Sequence, residues 1–166
     1  MSLVGFKAQN HPQQQIKDAV DDRGTAPEVF APLHAEFDFT IDAAAASHNA
    51  KCLRYYDSDA DGLVQSWAGE RVWCNPPYSN IRPWVEKAWA ENDAQLVVML
   101  LPANRTEQRW WQDDIEPGRD QECSPLHVRF LRGRMRFIRP GVVIGPKGDR
   151  PPFGVCLAIW DRRGAS

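Results

Sequence analysis

An α/β fold with an open, mostly parallel sheet is predicted by three features of the chain. Short apolar, strand-like runs alternate with amphipathic helical patterns, the order that builds parallel sheets. One such run, Gln95 to Leu101, is apolar almost throughout, as in strands buried on both faces. At 166 residues, 43% apolar and 25% charged, the chain has the size and composition of one globular domain with a single core. Antiparallel strands are expected at one edge, from two short runs flanking Arg132-Gly133.

Residues 1–24 are polar and include Gln13-Gln14-Gln15, so they read as a flexible arm ahead of a domain over 25–166. PEVFAPLHAEF (Pro27 to Phe37) reads as a short helix with Pro27 at its first position; Pro32 is expected to kink or shorten it. Phe37, Phe39 and Ile41 alternate with polar residues, a strand pattern ending at Asp42. Ala43 to Lys51 reads as an Ala-rich turn leading into a short helix. Arg71 to Cys74 is a strand halted by Asn75-Pro76-Pro77-Tyr78. A helix follows, capped by Asn80 with Pro83 in its first turn; Ile81, Trp84, Val85, Ala88 and Trp89 form its apolar face. Thr106 to Asp114 reads as another helix. Leu126 to Leu131 and Arg134 to Ile138 read as a hairpin, and Phe153 to Trp160 as a last strand. Between them, residues 139–152 hold three Gly and four Pro, a loop composition.

Several classes are excluded early. The N-terminal MSLVGFKAQNHPQQQ lacks an apolar h-region, and no run approaches the ~20 apolar residues of a bilayer span. No membrane partner and an intracellular location are expected. Cys52, Cys74, Cys123 and Cys156 form no C-x-x-C pair, so reduced, mostly buried thiols are expected rather than disulfides or a metal site. No G-x-S-x-G, H-E-x-x-H or Walker loop occurs. Net charge is −2, but it is unevenly spread. Between Glu36 and Glu70 seven acids face only Lys51 and Arg54; between Leu126 and Arg150 seven bases face only Asp149. Arginine's planar fork suits phosphate. Arg132, Arg134 and Arg136 alternate, so on a strand they would form one row toward a polyanion; the plainer reading is a solvated face.

Asn75-Pro76-Pro77-Tyr78 carries the chemistry. It falls where a strand ends, at the sheet edge where ligands bind in open α/β folds. The prolines stiffen the backbone and remove two N–H donors. One side-chain amide, free carbonyl oxygens and a phenol ring remain. A planar group with an exocyclic amine fits: its hydrogens go to the Asn75 side-chain oxygen and the Pro76 carbonyl, and its ring stacks on Tyr78. The amine lone pair is thereby aimed at a positively charged methyl donor, with no metal required. The alternative is a proline-stiffened strand exit with an incidental tyrosine.

The stretches TAPEVF (Thr25 to Phe30), FDFTIDAAA (Phe37 to Ala45), NAKC (Asn49 to Cys52), DGLVQSW (Asp61 to Trp67), VWCNPPYS (Val72 to Ser79), WVEKA (Trp84 to Ala88), VVMLLPA (Val97 to Ala103) and FLRGRMRF (Phe130 to Phe137) together resemble the phage-type, Dam-like DNA N6-adenine methyltransferases. The resemblance runs in order from about Thr25 to Trp160. It implies a single compact Rossmann-like methyltransferase domain with helices on both faces of the sheet, S-adenosylmethionine as cofactor and adenine N6 in DNA as acceptor. It further implies a flipped-out adenine held by Asn75, Pro76, Pro77 and Tyr78, and, for a phage-encoded chain, the bacterial cytoplasm. Asp42 would begin the donor-binding loop, Ala43 and Ala44 would follow it around the cofactor, Asp61 would meet the donor's adenine amine, and Thr25 and Pro27 would lie near its methionine moiety. Asp42 and Thr25 have second readings as helix N-caps, and Asp61 as a turn residue before Gly62. The run from Asp42 to His48 departs from the wider D-x-x-x-G-x-G pattern in having no Gly, so the donor loop lacks glycine's conformational freedom.

The basic hairpin and the loop 139–152 are the expected DNA contacts. Two rivals share some of these features: a methyltransferase for RNA or a protein glutamine amide, and a non-catalytic DNA-binding module on a decayed scaffold.

Overall fold

The fold is described from a computed structural model, over residues 24–135, 137–138 and 153–164. Of the expected arm, residues 1–23 lie outside these, as do Arg136 and the loop 139–152.

A two-residue strand β1 (Gly24–Thr25) leads into α1 (Pro27–Phe37). Pro27 occupies the first turn, where its missing N–H is no loss, and extended Ala26 precedes it without a side-chain cap. The helix runs on to Phe37, so Pro32 does not shorten it. The proline lies on the exposed side, where water can meet the backbone carbonyl it leaves unbonded. Phe30, Leu33 and Phe37 are buried on the other side. The helix ends at Asp38, whose left-handed φ of 52° turns the chain. That turn cuts short the strand expected from Phe37: only β2 (Ile41–Asp42) pairs, although Phe39 is buried as the alternation requires.

Residues 43–51 form bends and turns, and the short helix expected there is absent. β3 (Arg71–Cys74) and α2 (Arg82–Ala90) come next. Asn80 does not cap α2; the cap position falls to Ile81, because a turn from the Pro77 carbonyl to the Asn80 N–H (3.1 Å) delivers the chain already helical. β4 (Leu96–Pro102) is buried at every residue. The helix expected over 106–114 contracts to α3 (Arg109–Gln112), followed by a 3-10 turn at Glu116–Gly118. The Gln112 side chain bonds the Thr106 carbonyl (2.6 Å), an alternative to continued helix. β5 (Leu126–Phe130), β6 (Phe137–Ile138) and β7 (Val155–Asp161) complete the order.

The main sheet runs β2-β3-β4-β7-β5. β2, β3 and β4 pair in parallel, whereas β7 pairs antiparallel with both β4 and β5. The sheet is therefore mixed, with one reversed strand inserted inside one edge. The predicted hairpin does not form: β5 pairs with β7, and β6 pairs with β1. β7 is apolar and buried from Val155 to Trp160, and such a strand needs a neighbour on each side. Residues 132 and 133 form a bend and 134–135 carry no strand; Arg136, the third member of the expected arginine row, lies outside the described residues.

The register sorts the two faces. Val72, Val97, Trp160 and Leu126 share one; Trp73, Val98, Ile159 and His127 share the other. On the first, Trp89 of α2 packs edge-on to Trp160, ring centroids 5.8 Å apart. On the second, Phe30 of α1 packs edge-on to Trp73 at 5.3 Å. A helix thus covers each face. Both parallel pairings bring strand ends to a common carboxyl edge.

Candidate active site

β2 ends at Asp42 and β3 hands over to Asn75, and parallel pairing sets these ends side by side. Asp42 is 3% exposed. Its oxygens accept N–H bonds from Ala44 (3.3 Å) and Lys51 (2.9 Å). It therefore caps a loop, not a helix. Burial pushes its carboxyl up to about 6, with those N–H groups and the Lys51 charge pulling the other way. Its backbone bonds Arg54 and Tyr56, so residues 54–56 run beside β2 and fold the intervening segment into a loop.

The Asn75–Tyr78 turn is held from β4 and the loop after it. The Tyr78 hydroxyl donates to the Leu100 carbonyl (3.3 Å), and Arg105 donates to the Tyr78 carbonyl (2.8 Å). The Tyr78 ring, 8% exposed, meets Phe137 edge-on and Phe153 at a tilt, each 6.3 Å away.

Two adjoining cavities occupy this edge. The larger, about 510 Å³, is lined by Ala43 to Ala46, Tyr56, Asp57, Asp61, Pro77 and Trp84 among others. That volume suits a small-molecule ligand. Its rim carboxylates each spend one oxygen on local N–H groups, Asp57 on Asp59 and Ala60, Asp61 on Leu63. The turn reading of Asp61 and its place on the cavity wall thus both hold. The smaller cavity, about 20 Å³, is lined by Thr25, Asp42, Ala44, Asn49, Lys51, Trp73 and Asn75. The Thr25 hydroxyl is buried without a hydrogen-bond partner. The two cavities share Ala44 and Asn49.

Of the residues singled out in the sequence, Thr25, Asp42, Ala43, Ala44, Asp61, Asn75 and Pro77 line one cavity or the other. Pro76 is buried between two of them in sequence, and Tyr78 lies beyond. Pro27 lines neither; it starts α1. Arg132 and Arg134 are exposed on the bend around Gly133, whose φ of 73° requires glycine. The Gly133 carbonyl abuts Gly154, next to Phe153, so the bend reaches the Tyr78 side of the edge. Arg129 is engaged elsewhere, in a bidentate pair with Glu36 of α1 at 2.7 and 2.8 Å. Among the described residues no group of three His, Cys, Asp or Glu is placed to hold a metal, and no helix is long and apolar enough to cross a membrane.

A family model described as DNA N-6-adenine-methyltransferase (Dam) matches residues 13–160. The chain belongs to the Dam family of DNA N-6-adenine-methyltransferases. Among curated relatives, the DNA N-6-adenine-methyltransferase of Escherichia phage T1 is 34% identical over 105 residues, 61% of this chain and 42% of that protein. That of Haemophilus phage HP1 is 34% identical over 74 residues, 43% of each chain. The chain thus spans less than half the length of either.

In this Dam-family chain, sequence reasoning missed Lys51, Tyr56, Gly62, Trp84 and Arg105. Lys51 sits in the NAKC stretch that carried the resemblance, and a lone Lys among seven acids is a visible signal. Trp84 was absorbed into the apolar face of α2. Tyr56, Gly62 and Arg105 lie in loops whose folding depends on tertiary contacts, so no periodicity marks them.

Proposed function

We propose that the protein is a DNA adenine N6-methyltransferase that uses S-adenosylmethionine. The observation that carries this reading is the convergence of Asn75, Asp42 and the unpartnered Thr25 hydroxyl on one small polar cavity that adjoins a cleft of ligand size. The residues fit the donor. Pro77 and Trp84 give the cleft an apolar wall for a planar base, and Asp57 and Asp61 offer carboxylate oxygens to its hydroxyl and amine hydrogens. When bound, the donor supplies an electrophilic methyl carbon.

The chain's own groups position the acceptor. The Asn75 amide oxygen and the Pro76 carbonyl accept the two hydrogens of an exocyclic amine and orient its lone pair toward the cleft. The prolines keep that geometry fixed, so the contribution is one of orientation and preorganised dipoles. A paired adenine cannot reach such a recess, so the base is read everted from the duplex, with Tyr78 as its stacking platform. Arg132 and Arg134 serve DNA phosphates.

DNA from cells expressing the chain is expected to contain N6-methyladenine by mass analysis of its nucleosides. Asn75→Ala should lower the rate at least about a hundredfold, the scale for loss of one preorganised polar contact, with an unchanged thermal melt. A fully active Asn75→Ala would falsify the assigned role. Parallel incubations with labelled donor and DNA, RNA or protein separate this acceptor from an RNA base or a glutamine amide. The exposed arginines favour nucleic acid.

A further inference from the structure

We propose that Arg105 takes the DNA phosphate flanking the everted adenine while it holds the Tyr78 carbonyl, so that one guanidinium couples backbone contact to the geometry of the acceptor turn. The proposal rests on the reading of Asn75–Tyr78 as the acceptor site and makes Arg105 a binding and positioning residue for it.

Arg105 lies in the loop after β4, three positions beyond Pro102. β3 and β4 run in parallel, so this loop and the Asn75–Tyr78 turn leave the sheet at the same edge. The Arg105 side chain is partly buried, and its Nη1 donates to the Tyr78 carbonyl at 2.8 Å. That bond uses one of the five N–H groups of a guanidinium. Arg54, Arg71, Arg82, Arg119, Arg129 and Arg163 each hold a carboxylate. Arg105 holds none among the described residues. A carbonyl satisfies a donor without neutralising the charge, and a partly buried cation calls for an anion. The planar fork matches a phosphate with two parallel bonds.

The loop is tied to the basic bend. The Ala103 N–H donates to the Gly154 carbonyl (2.9 Å), and a Cβ on Gly154 would meet the Gly133 carbonyl at 3.8 Å. Arg132 and Arg134 flank Gly133, are exposed, and likewise hold no carboxylate among the described residues. Three arginines without a counter-ion thus belong to segments that meet at Gly154, which favours a polyanion over a lone anion. Within a nucleotide the phosphate is one sugar away from the base. A guanidinium bonded to the residue on which the base stacks is placed for that nucleotide's own phosphate, and Arg132 and Arg134 serve neighbouring ones.

The test uses the full chain and a duplex whose methylated adenine has been mapped by sequencing. The two phosphates flanking that adenine are replaced, one at a time, by neutral methylphosphonates. The wild type is expected to lose at least about tenfold in affinity at one of the two linkages, the worth of a charge-assisted contact. Arg105→Gln should bind that modified duplex and the unmodified one within about twofold of each other, and its slope of log K against log salt should fall by about 1. Arg105→Lys keeps the charge and loses the fork. It should recover the slope, recover only part of the methylation rate, and show a penalty of about threefold at that linkage; it decides the matter if Arg105→Gln fails to fold in a thermal melt. Wild-type indifference to both linkages, or the full wild-type penalty in either folded variant, overturns the phosphate contact and leaves the acceptor turn standing. A wild type that neither binds nor methylates DNA overturns the reading of the turn and the proposal with it.

Discussion

A Cβ on Gly62 would come within 2.0 Å of the Ala43 carbonyl oxygen and 3.3 Å of the Trp84 ring. The loop after Asp42 has no glycine, yet the lining of the larger cavity needs a place where backbone meets backbone. Gly62, nineteen positions beyond Ala43 in the chain, supplies it by lying directly against the Ala43 carbonyl. Gly62→Ala is expected to lower stability by about 1–3 kcal/mol, the usual cost of overpacking, and to weaken adenosyl-ligand binding; a thermal melt and a titration check both. Asp42 makes a separate prediction. Its carboxyl rises to about 6 in the folded protein from an ordinary 3.8, so folding takes up a proton between those values. Its contribution to stability is then fullest below about 4 and is lost as the pH rises through about 6. Denaturant titrations should show the wild type losing stability against Asp42→Asn over that window, with a flat difference above it. A constant difference across the window would mean that Asp42 ionises normally. At this scale the sequence was legible where side-chain type dictated role, as with Asn75, Asp42 and Pro77. Gly62 was not, because its role depends on what folds against it.

The ties between elements follow the same division. Helix α1 and strand α-to-β patterns were readable wherever period and burial agreed, as at Phe30, Leu33 and Phe37 or along Leu96 to Leu101. The failures were choices of partner. Leu126–Phe130 and Phe137–Ile138 are strands, and the chain does bend at Arg132-Gly133, but proximity in sequence does not make them partners. Hydrogen-bonding partners are decided by where β7 must bury both of its faces, and no local pattern records that. Arg129 illustrates the consequence for charge: it lies in the basic segment yet binds Glu36 of α1 and stacks over Phe37 at 5.5 Å. Both partners of that pair are nearly half exposed, so a double-mutant cycle with Glu36→Gln and Arg129→Gln should give a coupling of about 0.2–1 kcal/mol. A coupling well above that range would show the pair to be a main tether between α1 and β5.

Across the whole molecule, charge is divided: acids gather around the cleft and exposed bases on the bend after β5. If Arg132 and Arg134 meet phosphates, changing both to Ala should cut DNA affinity for every sequence and reduce the slope of log K against log salt by about 2. Arg129→Ala should leave that slope unchanged, since its guanidinium is committed to Glu36. An unaltered slope in the double variant would retire the bend as a DNA contact. The strand order carries one more consequence. β4 and β5 have no pairing with each other and meet only through β7, which the ribosome makes after both. Nascent chains halted before Val155 would leave Leu96–Pro102 and Leu126–Phe130 with open edges, the kind of surface that invites aggregation or a chaperone. Completion of a single later segment closes both edges at once, so the chain's maturation should behave as a zipper step rather than a gradual accretion.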